Sequence, residues 1–267
     1  MPLSRERRYA FVYLLLTLNA LATFVAAAVV VYGWTPALLA LFDVSAIVWL
    51  AIAAGLALLW NAPGRSTVAR GDGVILSLAV LAALLPVPAA SSAAMTGIAA
   101  WVRWRSAPNS SMRRASTIFF SLTAFLLWGR IGLNWGAGPL LAADARFVAL
   151  TADTRSVGNS VFFADGTNFI IAPACSSLHG VSLALILWTT VVQFFAVRID
   201  ARVWTTLALA VLGSIAVNGI RLAVIARNPH EFDYWHTGTG GALFGWVALT
   251  VIVAVVYKGV GRAPRLA

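Results

Sequence analysis

The sequence predicts an all-α polytopic membrane protein: a bundle of about eight transmembrane helices with a short extracytoplasmic β-hairpin before the sixth helix. Three observations lead to this fold class. Apolar residues make up 61% of the 267-residue chain and charged residues only 10%, whereas soluble domains carry roughly 25% charged residues. The mean hydropathy is +0.87. The apolar stretches are about 20 residues long, the length that a helix needs to cross a bilayer, rather than the ~10 residues of a β-barrel strand.

Eight apolar segments divide the chain, which we treat as a single integral membrane domain over residues 1–267. They cover about 10–32, 36–60, 74–87, 89–102, 115–133, 174–197, 203–222 and 236–257. The first segment is too long for a signal-peptide core, so we interpret it as a span. Each half of 74–102 is short, and Pro86 and Pro88 lie between the halves. Two tilted spans and a re-entrant hairpin both remain open there, and both keep the later helices in the same orientation.

The basic residues are distributed unequally between the two ends of these segments. With the N-terminus inside, most of the 19 Lys and Arg residues fall in cytoplasmic connections, as the positive-inside rule predicts. They are Arg5, Arg7, Arg8, Arg65, Arg70, Arg103, Arg105, Arg113, Arg114, Arg198, Arg202, Lys258, Arg262 and Arg265. Topology and contact with the lipid bilayer, rather than nucleic-acid binding, therefore explain the net charge of +10. We expect a multi-pass protein of the cell inner membrane with both termini cytoplasmic.

One sizeable segment, about 134–173, is predicted to lie outside the bilayer on the extracytoplasmic side. Its second half, from Val157 to Ile171, contains two β-rich runs. Asp165 and Gly166 between them are a strong signal for a two-residue type I′ turn. Because a two-stranded ribbon is only marginally stable alone, we expect this hairpin to lean on the helix ends.

Three reactive side chains fall at the same predicted level. Cys175, the only cysteine, starts the sixth span at the outer face. Arg221, in the motif Asn-Gly-Ile-Arg, ends the seventh span, and His236 opens the eighth. A span covers about 30 Å at 1.5 Å per residue, so the antiparallel sixth and seventh spans return the chain to its starting level.

A thiol, an imidazole and a guanidinium at one level are the groups that cysteine acyl transfer requires. Histidine can take the thiol proton and later protonate a leaving amine. Arginine can favour the thiolate and stabilise an oxyanion. Each residue also has a simpler interpretation: Cys175 as small apolar filler, Arg221 as a snorkelling helix anchor, and His236 as an interfacial cap. The coincidence of all three at one level favours an active site.

The order of the motifs resembles that of a known family. The hairpin is followed by Ala-Cys-Ser-Ser-Leu at 174–178, Asn-Gly-Ile-Arg at 218–221 and His-Thr-Gly-Thr-Gly at 236–240. Over about 157–245 this set resembles the exosortase/archaeosortase family of membrane cysteine peptidases or transpeptidases. Ser177 stands where that family usually has glycine, and His179 where it usually has arginine.

The resemblance implies a role for each reactive residue. Cys175 would be the nucleophile, His236 the general acid/base and Arg221 the oxyanion or thiolate stabiliser, with no cofactor. The implied substrates are exported proteins with a C-terminal sorting tail of the PEP-CTERM type: a short motif, one transmembrane helix and a basic end. Cleavage would occur at the outer face of the membrane through a thioester acyl-enzyme.

Several other residues are candidates for supporting roles. The four that could support the site are His179, Ser176, Asn218 and Arg130. His179 lies four residues after Cys175, on the same helix face. It is a candidate partner of the site or an alternative base, but it is better explained as an interior histidine that bonds to a serine or to the backbone. His230, in the loop 228–233, is a rival acid/base but is better explained as a solvated loop residue. A zinc site of Cys175, His179 and His236 lacks the usual ligand spacing, so we predict no metal.

Two other classes of function stay open at the level of sequence. A transporter or flippase of an anionic substrate would use Arg130, Arg221 and Asp43 near mid-membrane. A non-catalytic membrane scaffold would require none of these residues.

Overall fold

The computed structural model describes residues 3–63, 70–163, 165–261 and 263–265. Within these ranges the chain forms eleven α-helices and one small antiparallel sheet, which confirms a mainly helical fold with a short β element. Two arginines predicted to be cytoplasmic, Arg65 and Arg262, lie outside the described residues. The helices are α1 (Arg5–Tyr32), α2 (Trp34–Leu39), α3 (Ala46–Trp60), α4 (Asp72–Leu84), α5 (Pro88–Arg105), α6 (Ser111–Thr123), α7 (Gly129–Ala152), α8 (Leu178–Phe194), α9 (Ala201–Arg227), α10 (Phe232–His236) and α11 (Thr239–Val260).

The chain divides into two compact units. Unit 1 comprises Met1–Trp128, Ile186–Arg198 and Pro264–Ala267, and unit 2 comprises Gly129–Leu185 and Ile199–Ala263. In unit 1, α1 contacts α3, α4 and α5, and α6 contacts α3 and α5. In unit 2, α9 packs against both α7 and α11. All the residues of the candidate site described below belong to unit 2.

Within the described residues, three helices are long and apolar enough to cross a membrane: α1, α9 and α11. The helices α3, α4 and α8 are also apolar but shorter. The length and composition of these helices are compatible with a membrane location.

The second predicted span, 36–60, is divided between two helices. α2 ends at Leu39, and a 3₁₀ turn over Leu41–Asp43 precedes α3. The three residues of this turn have φ angles of 53°, 56° and 57°, which a right-handed helix cannot contain. The hydroxyl of Ser45 then accepts the amide of Ile47 at 3.3 Å and caps the new helix.

The region 74–102 forms two helices that are separated at its prolines. α4 ends at Leu84 and α5 begins at Pro88, because a proline lacks the amide that would continue the preceding helix. The side-chain amide of Asn19 on α1 donates to the carbonyl of Leu85 at 2.9 Å and to the hydroxyl of Ser91 at 2.8 Å. These bonds satisfy polar groups at the break and hold both helices against α1.

The first half of the segment predicted to lie outside the bilayer, 134–173, is helical. α7 follows a π-helical turn over Ala124–Trp128 and continues to Ala152. Its geometry is non-helical at Gly136, with φ −125° and ψ 16°. α7 contacts the strand regions 156–157 and 160–162 and packs against α9.

The predicted β-hairpin is present and carries an additional strand. β2 (Ser160–Phe162) pairs with β3 (Asn168–Ile170), and β1 (Ser156–Val157) pairs with the other edge of β2.

The loop of the hairpin differs from the predicted type I′ turn. The ladder closes with a hydrogen bond from the Phe163 amide to the Thr167 carbonyl at 2.8 Å, so the paired residues are separated by one residue more than in a type I′ turn. Gly166 has a φ of 86°, as expected at the left-handed position of such a loop. Hydrogen bonds from the Thr167 hydroxyl and amide, at 2.6 and 2.9 Å, tie the Asp165 carboxylate to the chain beyond the turn. They hold the pKa of Asp165 below its ordinary value.

A buried carboxylate joins three helices of unit 1. Asp72, at the start of α4, is 1% exposed. It accepts hydrogen bonds from the Arg5 guanidinium at 2.6 and 3.1 Å, from the Tyr9 hydroxyl at 2.7 Å and from the Trp101 indole at 2.8 Å. Because a buried charge is strongly destabilising without partners, these four donors make Asp72 the polar anchor of α1, α4 and α5.

We expect Asp72→Ala to lower the free energy of unfolding by about 3–5 kcal/mol, the cost of leaving a buried charge without its partner. The substitution strands the Arg5 guanidinium and removes the acceptor of Tyr9 and Trp101. Arg5→Ala should cost less, because Asp72 keeps the Tyr9 hydroxyl and the Trp101 indole as donors. Unfolding of each variant in detergent micelles measures the difference, and equal losses for the two variants would contradict this account of the anchor.

Candidate active site

Cys175 lies on a short turn between the sheet and α8. A 3₁₀ turn over Pro173–Cys175 follows β3, and α8 begins at Leu178. The thiol is free, and the side chain is half-buried against the apolar core of unit 2. That core consists of Leu141, Ala145, Val148, Ala152, Val161, Ile171, Leu222, Ala223, Ile225 and Ala226. The Cys175 side chain therefore packs against residues of α7, α9 and the sheet region.

His236 is the last residue of α10, and aromatic contacts set the position of its ring. The imidazole stacks on Phe232, with ring centroids 4.9 Å apart and an interplanar angle of 26°. Phe232 meets Phe169 of β3 edge to face, at 6.2 Å. The Trp235 indole donates to the Glu231 carboxylate at 2.7 Å, which braces α10. The predicted hairpin thus supports His236 through two aromatic rings.

The structure brings the Cys175 thiol and the His236 imidazole into direct contact. The Sγ atom of Cys175 lies 3.1 Å from Nε2 of His236, although the two residues are 61 positions apart in the chain. At this distance the ring nitrogen can accept the thiol proton, or donate to the thiolate once it carries a proton.

Two residues of α9 also reach the Cys175 turn. The side-chain amide of Asn218 donates to the carbonyl of Cys175 at 2.9 Å. Arg221, three residues further along the helix, interacts electrostatically with Cys175 and with His179. Its Nε atom is buried, and none of the described residues accepts a hydrogen bond from it. The Asn-Gly-Ile-Arg motif therefore presents one donor that holds the turn and one cation with a free donor beside the thiol.

The glycine of that motif permits a close approach between α9 and α7. A Cβ atom at Gly219 would overlap the ring of Phe147 on α7. The absence of a side chain at Gly219 lets the ring approach the backbone of α9 between Asn218 and Arg221 in sequence.

The other residues predicted to support the site have different surroundings. Ser176 is buried, and its hydroxyl donates to the carbonyl of Pro173 at 2.8 Å, so it stabilises the turn. His179 lies on the first turn of α8 and interacts with Arg221. The side chain of Arg130 lies outside the described part of the structure.

Two residues weighed in rival interpretations are exposed. Asp43 lies on the turn before α3 and is exposed there. His230 is exposed on a turn over Pro229–Glu231 and interacts electrostatically with Asp165 of the hairpin loop. In the part of the chain that is described, no three His, Cys, Asp or Glu side chains cluster as metal ligands would.

One residue of the site is not nominated by sequence reasoning: Asp144, on α7. It is 8% exposed, and its carboxylate accepts the amide of Ser177 at 3.0 Å and the Ser177 hydroxyl at 2.8 Å. The signal that could have identified it is an acidic residue inside the apolar run 137–152. Buried carboxylates in such runs need a specific partner, but the sequence does not say which one.

The glycines that follow His236 allow α10 and α11 to meet closely. A Cβ atom at Gly240 would overlap the ring of Trp235, and one at Gly241 would lie 2.8 Å from the carbonyl oxygen of His236. Both glycines of α11 therefore lie close to residues of α10. The run also positions the catalytic candidate, because one of its contacts is the backbone of His236 itself.

Comparisons of the chain with protein-family models, with curated proteins and with solved structures found no match. The resemblance to the exosortase/archaeosortase family therefore stays a prediction. The case for a catalytic site depends on the geometry of Cys175, His236 and Arg221 alone.

We expect Gly241→Ala to displace His236 from Cys175, because its new methyl group meets a backbone oxygen that cannot rotate away. The rate of Cys175 alkylation by iodoacetamide at neutral pH should fall to that of His236→Ala. Intact-mass spectrometry reports this rate without ambiguity, because the chain has one cysteine. Gly245→Ala is the matched control, since no atom lies within 4 Å of its added Cβ. Equal rates for Gly241→Ala and the control would contradict the positioning role.

Proposed function

We propose that this protein is a membrane-embedded cysteine peptidase or transpeptidase with Cys175 as its nucleophile. The observation that carries the proposal is the 3.1 Å separation between Cys175 Sγ and His236 Nε2, a distance that permits proton transfer. His236 then acts as general acid/base, and Arg221 stabilises the thiolate and the oxyanion. The resemblance to the exosortase/archaeosortase family suggests the same three roles.

The proposed reaction proceeds in two halves. His236 takes the thiol proton, and the thiolate attacks the carbonyl carbon of the scissile peptide bond. As the tetrahedral intermediate collapses, the imidazolium gives its proton to the leaving amine, and the acyl group stays on Cys175 as a thioester. Water, or an amine or hydroxyl acceptor, then attacks the thioester, and its proton returns to regenerate the thiol.

The hydrogen bonds around the nucleophile favour Arg221 as the oxyanion donor. The backbone amides of Cys175, Ser176 and Ser177 are all engaged, with two carbonyl oxygens and one carboxylate, at 2.9, 3.3 and 3.0 Å. They are therefore not free to form an oxyanion hole of backbone amides. The buried Nε of Arg221 has no acceptor among the described residues, so it can donate to the charge that develops in the intermediate.

The proposed setting is the extracytoplasmic face of the inner membrane, in an eight-span topology with both termini cytoplasmic. The apolar helices α1, α9 and α11 support a membrane setting. The reactive residues lie near helix ends: Cys175 just before α8, Arg221 in the last turns of α9, and His236 just before α11. A site at helix ends suits cleavage just outside a bilayer rather than at its centre.

The proposed substrates are exported proteins with a C-terminal sorting tail. Such a tail has a short motif, one transmembrane helix and a basic end, as in PEP-CTERM-like signals. The helix of the tail would enter laterally from the bilayer and place the motif at the level of Cys175.

We expect Cys175→Ala to abolish processing of a co-expressed exported protein that ends in such a tail, followed as a change in its size on an immunoblot. His236→Ala should slow processing by about 10²–10⁴-fold, the usual contribution of a general acid/base. Arg221→Ala should slow it by about 10²–10³-fold, as for loss of an oxyanion donor. Arg221→Lys should retain part of the rate, because it keeps the charge but not the geometry of the guanidinium.

His230→Ala provides the matched control, because it removes an exposed histidine from a neighbouring turn. Its processing rate should equal that of the unmodified protein. Processing that persists in Cys175→Ala would refute the proposal.

A further inference from the structure

A buried carboxylate outside the proposed catalytic set holds the segment that carries Cys175. Both oxygens of Asp144 bond to Ser177, one to its amide at 3.0 Å and the other to its hydroxyl at 2.8 Å. Asp144 is 8% exposed and Ser177 is 5% exposed, so water competes little for these bonds. Among the described residues no Lys or Arg forms an ion pair with Asp144, the ion pair found there being that of Arg5 with Asp72.

The same segment is held from a second helix. The Asn218 amide on α9 donates to the Cys175 carbonyl at 2.9 Å and reaches the Ser177 hydroxyl at 3.5 Å. The Ser177 hydroxyl thus lies between a donor on α9 and an acceptor on α7. The turn from Cys175 to Ser177 is clamped by both helices, with the thiol at one end and Asp144 at the other.

We propose that Asp144 is a positioning residue for Cys175, acting through Ser177 to keep the thiol in contact with His236. The inference rests on the proposed function, because it assigns Asp144 a part in the same active site. A purely structural residue would affect only folding, whereas Asp144 would set the position of the Cys175 thiol relative to His236. The carboxylate bonds to the residue two positions beyond the nucleophile, just before α8 begins at Leu178.

The serine side chain at position 177 contributes to this positioning. A glycine or alanine at this position would keep the amide bond to Asp144 but lose the hydroxyl that links Asp144 to Asn218. Ser177 therefore doubles the hold of α7 on the turn. A displacement of about 1 Å in a reacting group can slow a reaction by about 10²-fold, so a partial loosening of the turn is expected to be measurable.

The test compares Asp144→Ala, Asp144→Asn and Ser177→Ala in the full-length protein in detergent micelles. Cys175 is alkylated with iodoacetamide at about pH 6.5 and about pH 9.5, which lie below and above the pKa of an ordinary free thiol. The ratio of the rate at the lower pH to the rate at the higher pH reports proton transfer to His236, because Arg221 stays charged across this range. A change that merely exposes or covers the thiol would alter both rates equally and leave the ratio unchanged. His179→Gln, in parallel, reports any contribution of the second nearby imidazole.

We expect Asp144→Ala to lower the ratio of the rates, and the rate of substrate processing, by about tenfold. Ser177→Ala should lower both by about threefold, because it removes one of the two bonds. Asp144→Asn should retain part of both quantities. The carbonyl oxygen of the asparagine side chain can accept the Ser177 backbone amide, and its NH₂ group can donate to the Ser177 hydroxyl. Asp153→Asn, at an exposed position just after α7 ends, is the control and should leave both quantities unchanged.

An unchanged ratio in both Asp144→Ala and Ser177→Ala would overturn the inference. If Asp144→Ala does not fold, Ser177→Ala decides alone, because it leaves the amide bond in place. Failure of the proposed function is recognised separately: Cys175→Ala would then still process the substrate, whereas the alkylation ratio needs no substrate and still reports on Asp144.

Discussion

The contact between the Cys175 thiol and the His236 imidazole joins residues 61 positions apart, and the surrounding parts of unit 2 hold one partner or the other. Asn218 and Asp144 hold the Cys175 turn from two different helices. Phe232 stacks on the imidazole, and the glycine run after His236 sets the approach of α10 to α11. The geometry of the pair is therefore a property of α7, the sheet, α9 and α10 together.

The two buried aspartates show how the same chemistry serves different purposes. Asp72 collects donors from Arg5, Tyr9 and Trp101 and so ties three helices of unit 1 together. Both carboxylate oxygens of Asp144 accept hydrogen bonds from one residue, Ser177, two positions after Cys175. In an apolar setting each unsatisfied polar group costs several kcal/mol. The number and origin of the donors therefore indicate what each carboxylate organises: helix packing in one unit and a reactive turn in the other.

The sequence predicts the helical class, the hairpin and the convergence of Cys175 with His236 because these depend on local patterns. Apolar run length indicates helices, and helix parity indicates which ends meet. Other features depend on contacts that no local pattern reveals. Nothing in Leu41-Phe42-Asp43 announces the positive φ angles that divide the predicted second span. The partner of Asp144 lies 33 residues away at Ser177.

The hairpin loop and the support of His236 illustrate the same limit of local patterns. Asp165 and Gly166 correctly mark the turn, but Phe163 pairs with Thr167, which leaves one residue more between them than a type I′ turn has. The contact of Phe169 with Phe232 crosses from the sheet to α10. In the sequence, Phe169 and Phe232 are equally compatible with ordinary strand and loop positions. Their shared role in supporting His236 follows only from the three-dimensional contacts.

The central claim is that Cys175 forms a covalent acyl intermediate. The most direct test is intact-mass spectrometry of the protein, rapidly acid-quenched during turnover of a substrate with a sorting tail. The account predicts a mass increase equal to the acyl fragment, located on Cys175 and removed by neutral hydroxylamine, as a thioester is. The same adduct should be absent from His236→Ala on this timescale. Turnover with no adduct on Cys175, or an adduct on another residue, would contradict it.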